Sequence, residues 1–305
     1  MDEISLISPA TVSNVVCGFD CLGFALDGPH DEMTVRQTAS SGISIVHKDS
    51  YGLPTEPNKN VAAVALQALI DVARPNGGFE LEIMKRIKPG SGIGSSAASA
   101  CGAVVGANRL LGDPFSQLEL VEFAMAGEML ASGSRHADNL APCIYGGFTV
   151  VRSSDPLDIV PIDFPELFAT VIHPQIEIKT SEARAILPKE VPLYAAIENW
   201  SNLAAFIAAL MRGDHDIMAR SMVDHIVEPV RSPFIPKFNE IRTESLAAGA
   251  IGGGISGSGP SMFMLSASDN AARAVEAAMR CVYEKSDIEF HTYVSAISTT
   301  GVRFV

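Results

Sequence analysis

The sequence predicts an α+β protein, and three observations lead there. Strand-like and helix-like runs are mixed in both halves of the chain. The length of 305 residues is long for one core and points to one or two domains. The composition is 47% hydrophobic, which suits a compact soluble protein, and no internal repeat or low-complexity tract interrupts it.

Each element has its own signal. Residues 4–8 read as a short strand that ends at Pro9. Residues 33–36 and 43–47 read as strands, and the Ser/Gly between them predicts a hairpin. Residues 61–73 form a strong helical pattern with Asn58 or Asn60 as cap. Residues 79–85 alternate apolar and polar, as a half-buried strand does. Residues 97–111 are a helix of small side chains, suited to tight packing, that stops at Gly112. Residues 116–131 are a second helix, opened by a Ser116/Glu119 capping box. A strand follows at 147–152, and residues 153–165, with three prolines, read as a linker. Beyond it come strands at 168–172, 262–265 and 290–296, and helices at 195–211, 214–222, 237–248 and 270–285.

Charge and cysteine usage exclude several functions. The net charge is −13, against a nucleic-acid binder, which needs a basic face. Cys17, Cys21, Cys101, Cys143 and Cys281 are scattered, odd in number and form no CxxC pair. A reducing, cytoplasmic location follows. The acidic start, MDEISLIS, is unlike a signal peptide. Residues 89–108 and 246–267 lack charge but are rich in Gly and Ser and contain Pro, so neither reads as a membrane span.

The segment most suggestive of chemistry is Pro89 to Ser99, PGSGIGSSAAS, placed before the small-residue helix. Glycines let a backbone approach a ligand closely, and a helix N-terminus offers unpaired N–H groups to phosphate. The loop lacks the Lys of a P-loop, and by itself serves equally as a tight turn. Ser96 offers a hydroxyl to Mg²⁺ or caps the following helix. Glu128, on a last helical turn, suits the same hard cation. Arg135, His136, Asp138 and Asn139 gather on a loop before Pro142. Asn14 and Asp20 flank a Gly18 turn and could hold an ammonium group, although Asp20 could equally cap the turn at Cys21. Arg184 and Arg231, taken singly, read as surface residues. Residues 249–260 hold six glycines, more than a connector needs, so their backbone must approach a ligand or another loop.

Together these segments resemble the GHMP kinase superfamily, and within it the branch that phosphorylates L-homoserine. The resemblance rests on the stretch from Pro9 to Gly23, the loop PGSGIGSSAA, and the Gly-rich stretch from Gly252 to Phe263. The segments from His136 to Pro142, Ser181 to Pro188 and Glu228 to Pro236 are characteristic of that branch. It covers almost the full length. One departure stands out: Val15, Val16 and Cys17 replace the Leu-Gly-Pro usual in the first motif, which puts the turn backbone and the role of Asn14 in doubt.

The resemblance implies a two-domain fold. Residues 1–160 would be an ATP-binding domain like ribosomal protein S5 domain 2, and residues 161–305 a ferredoxin-like domain. The cofactors implied are ATP and Mg²⁺. ATP would lie on Pro89, Gly90, Ser91, Gly92, Ile93, Gly94, Ser95, Ser96, Ala97, Ala98 and Ser99, with Asn60 near the adenine. Ser96 and Glu128 would hold Mg²⁺. L-Homoserine would be gripped by Asn14 and Asp20 at its amino side and by Arg184 and Arg231 at its carboxylate, with Gly257 alongside. His136 and Asn139 would position it near the reacting hydroxyl, and Asp138 would act as base or orient the loop. The implied reaction gives O-phosphohomoserine in threonine biosynthesis. Another GHMP small-molecule kinase, acting on mevalonate, shikimate or a sugar, and a catalytically silent nucleotide-binding regulator are the alternatives. No nucleic acid or membrane partner is implied, and a homodimer is compatible with an acidic enzyme of this size.

Overall fold

The computed structural model describes residues 2–176 and 180–305. In chain order its elements are β1 (Glu3–Ser13), β2 (Leu22–Thr38), β3 (Gly42–His47), α1 (Val61–Ala73), β4 (Gly78–Met84), α2 (Ser95–Leu110), α3 (Gln117–Ser132) and α4 (Leu140–Tyr145). These continue into β5 (Phe148–Ser154), β6 (Leu157–Ile162), β7 (Phe168–Pro174), α5 (Thr180–Ala185), α6 (Leu193–Arg212), α7 (His215–Ser221) and α8 (Glu228–Arg231). The chain ends with α9 (Phe238–Ala247), β8 (Gly252–Ile255), β9 (Met262–Ser266), α10 (Asp269–Tyr283), β10 (Phe290–Ala296) and β11 (Arg303–Phe304).

Among the described residues the first sheet runs β11-β1-β2-β4-β3, with β5 on β2 and β6 on β5. The second sheet is antiparallel in the order β10-β7-β9-β8. The strong helical signals recur in the structure, with the Asn60 cap on α1 and the Ser116/Glu119 capping box on α3.

Several expectations are corrected. The first strand does not end at Pro9: β1 runs on to Ser13, and a register shift between Pro9 and Thr11 absorbs the missing N–H. The expected hairpin at 33–47 does not form. β3 pairs in parallel with β4, and α1 supplies the crossover that a parallel pair requires. The expected linker at 153–165 holds β6, which forms a hairpin with β5. Its prolines fit because Pro156 lies in the turn and Pro161 on a strand paired on one side. The loop expected at Arg135–Asn139 is present, and Leu140 then begins a short helix with Pro142 in its first turn, where no N–H is needed. Gly252–Ile255, expected as loop, is a buried strand.

The small side chains of α2 let it lie directly on the sheet. A Cβ at Gly106 would come within 2.5 Å of Val35 Cγ2. One core lies between the first sheet and α1–α3, around Val35, Leu66, Leu81 and Val104. A second joins the two sheets. There Phe24 packs against Phe148 at 4.9 Å and against Phe263 of β9 at 5.6 Å between ring centroids. These rings are fully buried, worth about 1.5–3 kcal/mol each. This shared core fixes the second sheet, and the Gly-rich loop it carries, against the glycine loop before α2.

Candidate active site

A cavity of about 450 Å³ opens between the start of α2, the end of α3, the turn after β1, and residues from α5, α8 and the loop after β8. Among the residues expected to form the site, Asn60, Ser91, Ile93, Ala97 and Ala98 do not border it, and the others do.

One end is the glycine loop that precedes α2. Gly90, Gly92 and Gly94 all have positive φ, at 75°, 83° and 70°. Gly94 caps α2 with no side-chain hydrogen bond, so among the described residues the N–H groups of the first turn receive no side-chain cap. The second Gly-rich loop meets this one from behind. Ser256 Oγ donates to Gly92 O at 2.7 Å, and Ser261 Oγ donates to Ser91 O at 2.6 Å. Of the six glycines, Gly257 and Gly259 approach Gly92 of the first loop and Gly252–Gly254 lie in β8, while Gly257 and Ser258 reach the cavity wall.

Sequence reasoning missed Lys85. It is buried at the end of β4, pairs with Asp31, and donates to Ser95 O at 2.7 Å and Ser99 Oγ at 2.9 Å. A signal was present: the alternation that buries Leu81 and Ile83 continues to Lys85 on the same face. Lys85→Met leaves Asp31 buried without its cation. The expected loss is about 3–5 kcal/mol of folding stability, read by urea unfolding.

Glu128 on α3 faces Ser96 on α2, with Ser96 Oγ donating to its Oε2 at 3.2 Å. Burial pushes the Glu128 carboxyl pKa up, against the two serine hydroxyls, Ser132 and Ser96, that stabilise its charge. A desolvated carboxylate and a hydroxyl at a cavity wall form the start of a hard-oxygen donor set, to which phosphate and water can add. The residues therefore fit Mg²⁺.

Beside them lies a relay from β1 to α4. Thr11 Oγ1 donates to Asn139 Oδ1 at 2.8 Å, and Asn139 Nδ2 donates to Ser13 Oγ at 2.9 Å. Ser13 in turn hydrogen-bonds Asp138. Burial, reinforced by the charge of Asp20, pushes the Asp138 carboxyl up to about 7. Its folded pKa thus exceeds the unfolded value, and the folded state binds the extra proton. The stabilisation is present below about pH 4 and is lost as pH rises through about 7. Asp138→Asn is expected to remove this loss, so the variant's thermal midpoint gains on the wild type between pH 4 and 8 when measured with EDTA. His136 stands 3.7 Å from Asp20 through Nδ1, and burial lowers its pKa. Its Nε2 is buried without a hydrogen-bond partner among the described residues.

The far end carries the turn at Asn14. Asn14, Val15 and Val16 have φ of 72°, 39° and 61°, a left-handed turn closed by Gly18 N–H donating to Asn14 O at 2.8 Å. Two β-branched residues there are strained. Their side chains are held in the shared core with Leu22 and Phe24, so the valines preserve a turn that glycine would take without strain. Asn14 acts as a strut: its Oδ1 accepts Asp20 N–H at 2.9 Å and its Nδ2 donates to Gly257 O at 2.7 Å. Arg231, expected from sequence alone to be a surface residue, is 4% exposed. It donates to Ala183 O and Gly257 O, each at 3.2 Å, and lies over the Phe19 ring. Arg184 reaches the same end and binds Asp20. Asn60 is committed elsewhere. Its Oδ1 caps Ala62 and Ala63, and its Nδ2 donates to Pro54 O at 2.7 Å, while Leu53 and Val61 line the cavity nearby.

Residues 59–147 match the GHMP kinases N terminal domain, and residues 206–285 match the GHMP kinases C terminal domain. The chain belongs to the GHMP kinases and has their two-domain fold. A homoserine kinase of Chloroherpeton thalassium is 42% identical over 100% of both chains. The crystal structure of homoserine kinase from Cytophaga hutchinsonii superposes with a TM-score of 0.96 at 44% identity, covering 100% of this chain and 98% of that one. The mevalonate kinase of L. major, solved in complex with R-mevalonate, shares the fold with a TM-score of 0.70 at 18% identity over 94% of each chain. Within the family the chain falls among the homoserine kinases, and it is a phosphotransferase. Among the described residues no helix is long and apolar enough to cross a membrane.

Proposed function

We propose that this kinase moves the γ-phosphoryl group of ATP to the side-chain hydroxyl of L-homoserine, giving O-phosphohomoserine for threonine biosynthesis in the cytoplasm. The observation that carries this reading is one cavity with a glycine loop and uncapped helix start at one end and Asp20, Arg184 and Arg231 at the other. A phosphate donor suits the first end. A molecule with both an ammonium and a carboxylate suits the second. The five cysteines are free thiols, in keeping with a reducing compartment.

The catalytic roles follow from position. The first-turn N–H groups of α2 and the loop backbone receive the phosphates, and Lys85 holds Ser95 and Ser99 in place beneath them. Ser96 and Glu128 would hold Mg²⁺, which neutralises phosphate charge when bound. Asn14 fixes Asp20 toward the acceptor's ammonium, and Arg231 takes its carboxylate from a seat set by two backbone carbonyls. Asn139, held by Thr11 and Ser13, and His136 Nε2 orient the acceptor hydroxyl. Phosphoryl transfer depends on in-line positioning and charge stabilisation more than on a strong base. Asp138 then organises this wall through Ser13. Asp138→Asn is expected to keep appreciable activity, and near-complete loss in a folded variant would rule that role out.

A coupled ADP-release assay over L-homoserine, L-threonine, L-serine, mevalonate and shikimate tests the reading. L-Homoserine is expected to give the highest kcat/KM. Preference for mevalonate or shikimate would assign a different acceptor, and no turnover with any of the five would favour a silent regulator.

A further inference from the structure

We infer that the Asp20–Arg184 ion pair is a built-in stand-in for the acceptor, parted well only by a molecule that carries both an ammonium and a carboxylate. This rests on the proposed acceptor reading and adds a coupling between its two ends.

The two arginines at this end are held differently. Arg231 is buried, tied to backbone carbonyls of Ala183 and Gly257, and makes no hydrogen bond or ion pair with a carboxylate among the described residues. It is a seat already built. Arg184 places Nη2 at 2.8 Å from Asp20 Oδ1 and 3.0 Å from Oδ2, and its Nε is buried with no partner among the described residues. Its hydrogen-bonding is thus directed at a carboxylate of its own chain. Asp20 is the fixed member, anchored by its N–H to Asn14 and set at φ 59°. The pair is about one-third exposed, at 32% and 29%, so it is stable yet separable.

An acceptor carboxylate seated on Arg231 also offers Arg184 a replacement anion, and the released Asp20 can then take the ammonium. Two charges leave one partner each and gain another. A hydroxy acid without the amine satisfies Arg184 but leaves Asp20 facing only His136, whose charged form burial disfavours. An amino alcohol without the carboxylate leaves Arg184 unpaired. Such a molecule loses its own missing contact and also strands a charge of the enzyme.

The test is a cycle of enzymes against acceptors. Wild type, Asp20→Asn and Arg184→Met are assayed by ADP release with L-homoserine, 4-hydroxybutyrate and 3-aminopropan-1-ol. Both variants are expected to lose activity toward L-homoserine. Asp20→Asn is expected to gain at least roughly fivefold in kcat/KM for 4-hydroxybutyrate, through KM, and Arg184→Met to gain similarly for 3-aminopropan-1-ol. A second readout needs no turnover. The double-mutant coupling between Asp20 and Arg184 in thermal midpoint, measured without acceptor, is expected to be stabilising. If wild type phosphorylates L-homoserine but neither variant gains, or no coupling is found without acceptor, the stand-in is overturned while the acceptor reading survives. If wild type does not phosphorylate L-homoserine, both are overturned.

Discussion

Glu128→Ala is expected to lower Mg²⁺-dependent turnover by roughly 10²- to 10³-fold, while nucleotide affinity measured without metal stays near wild type. The carboxylate is buried at the cavity wall, and its hydrogen-bond partners are the hydroxyls of Ser132 and Ser96. Desolvation raises its pKa, so the fold does little to stabilise its charge. The cation proposed above would stabilise that charge on arriving with phosphate. Removing it relieves the folded chain of a poorly solvated carboxylate, so thermal stability without metal is expected to hold at pH 8. Isothermal titration of ADP with and without Mg²⁺ separates the two roles. A metal-free affinity that falls as far as turnover would make Glu128 a structural prop of the α2–α3 contact instead.

Gly92→Ala is expected to abolish detectable ATP binding and to lower the thermal midpoint. Two costs add. A side chain at φ 83° costs about 1–2 kcal/mol. The new Cβ also falls 2.6 Å from Gly259 O and 2.8 Å from Ser256 O. Both obstacles are backbone, so the loops must separate at a further ~1–3 kcal/mol. Separation strains the bonds from Ser256 to Gly92 and from Ser261 to Ser91 that fix the phosphate seat. Gly90→Ala is the internal control. Its φ is 75°, but beyond its chain neighbours no atom of the described residues lies within 4 Å of the added Cβ, so it carries only the conformational cost. Equal effects of the two substitutions, measured by ATP titration and thermal unfolding, would show that loop contact is irrelevant.

Much of this site was legible because its chemistry is written in contiguous runs. The glycines before α2, the cap at Asn60 and the capping box at Ser116 are local devices, readable within a few residues. Arg231 was not legible as a buried residue from its neighbours. Two prolines and a short helix give no hint that its guanidinium lies over Phe19, more than two hundred residues earlier. The hairpin expected at 33–47 failed for a similar reason. Strand pairing is decided by which edge is free, and β4, arriving after α1, takes the place between β2 and β3. The linker at 153–165 failed because prolines mark turns and edge strands as well as connectors.

The sequence by itself determined the class of fold, the long helices with their caps, the glycine loop before α2 and the residue types that gather at the cavity. Those properties depend on neighbours along the chain, where backbone preference and side-chain reach act over one or two turns. The tertiary structure alone decided three things. It set Ser256 and Ser261 behind the phosphate loop, buried Lys85 against Asp31, and paired Asp20 with Arg184. Each joins segments far apart in sequence. Their energies exist only once the shared core around Phe24, Phe148 and Phe263 has brought the two sheets together and excluded water from between them.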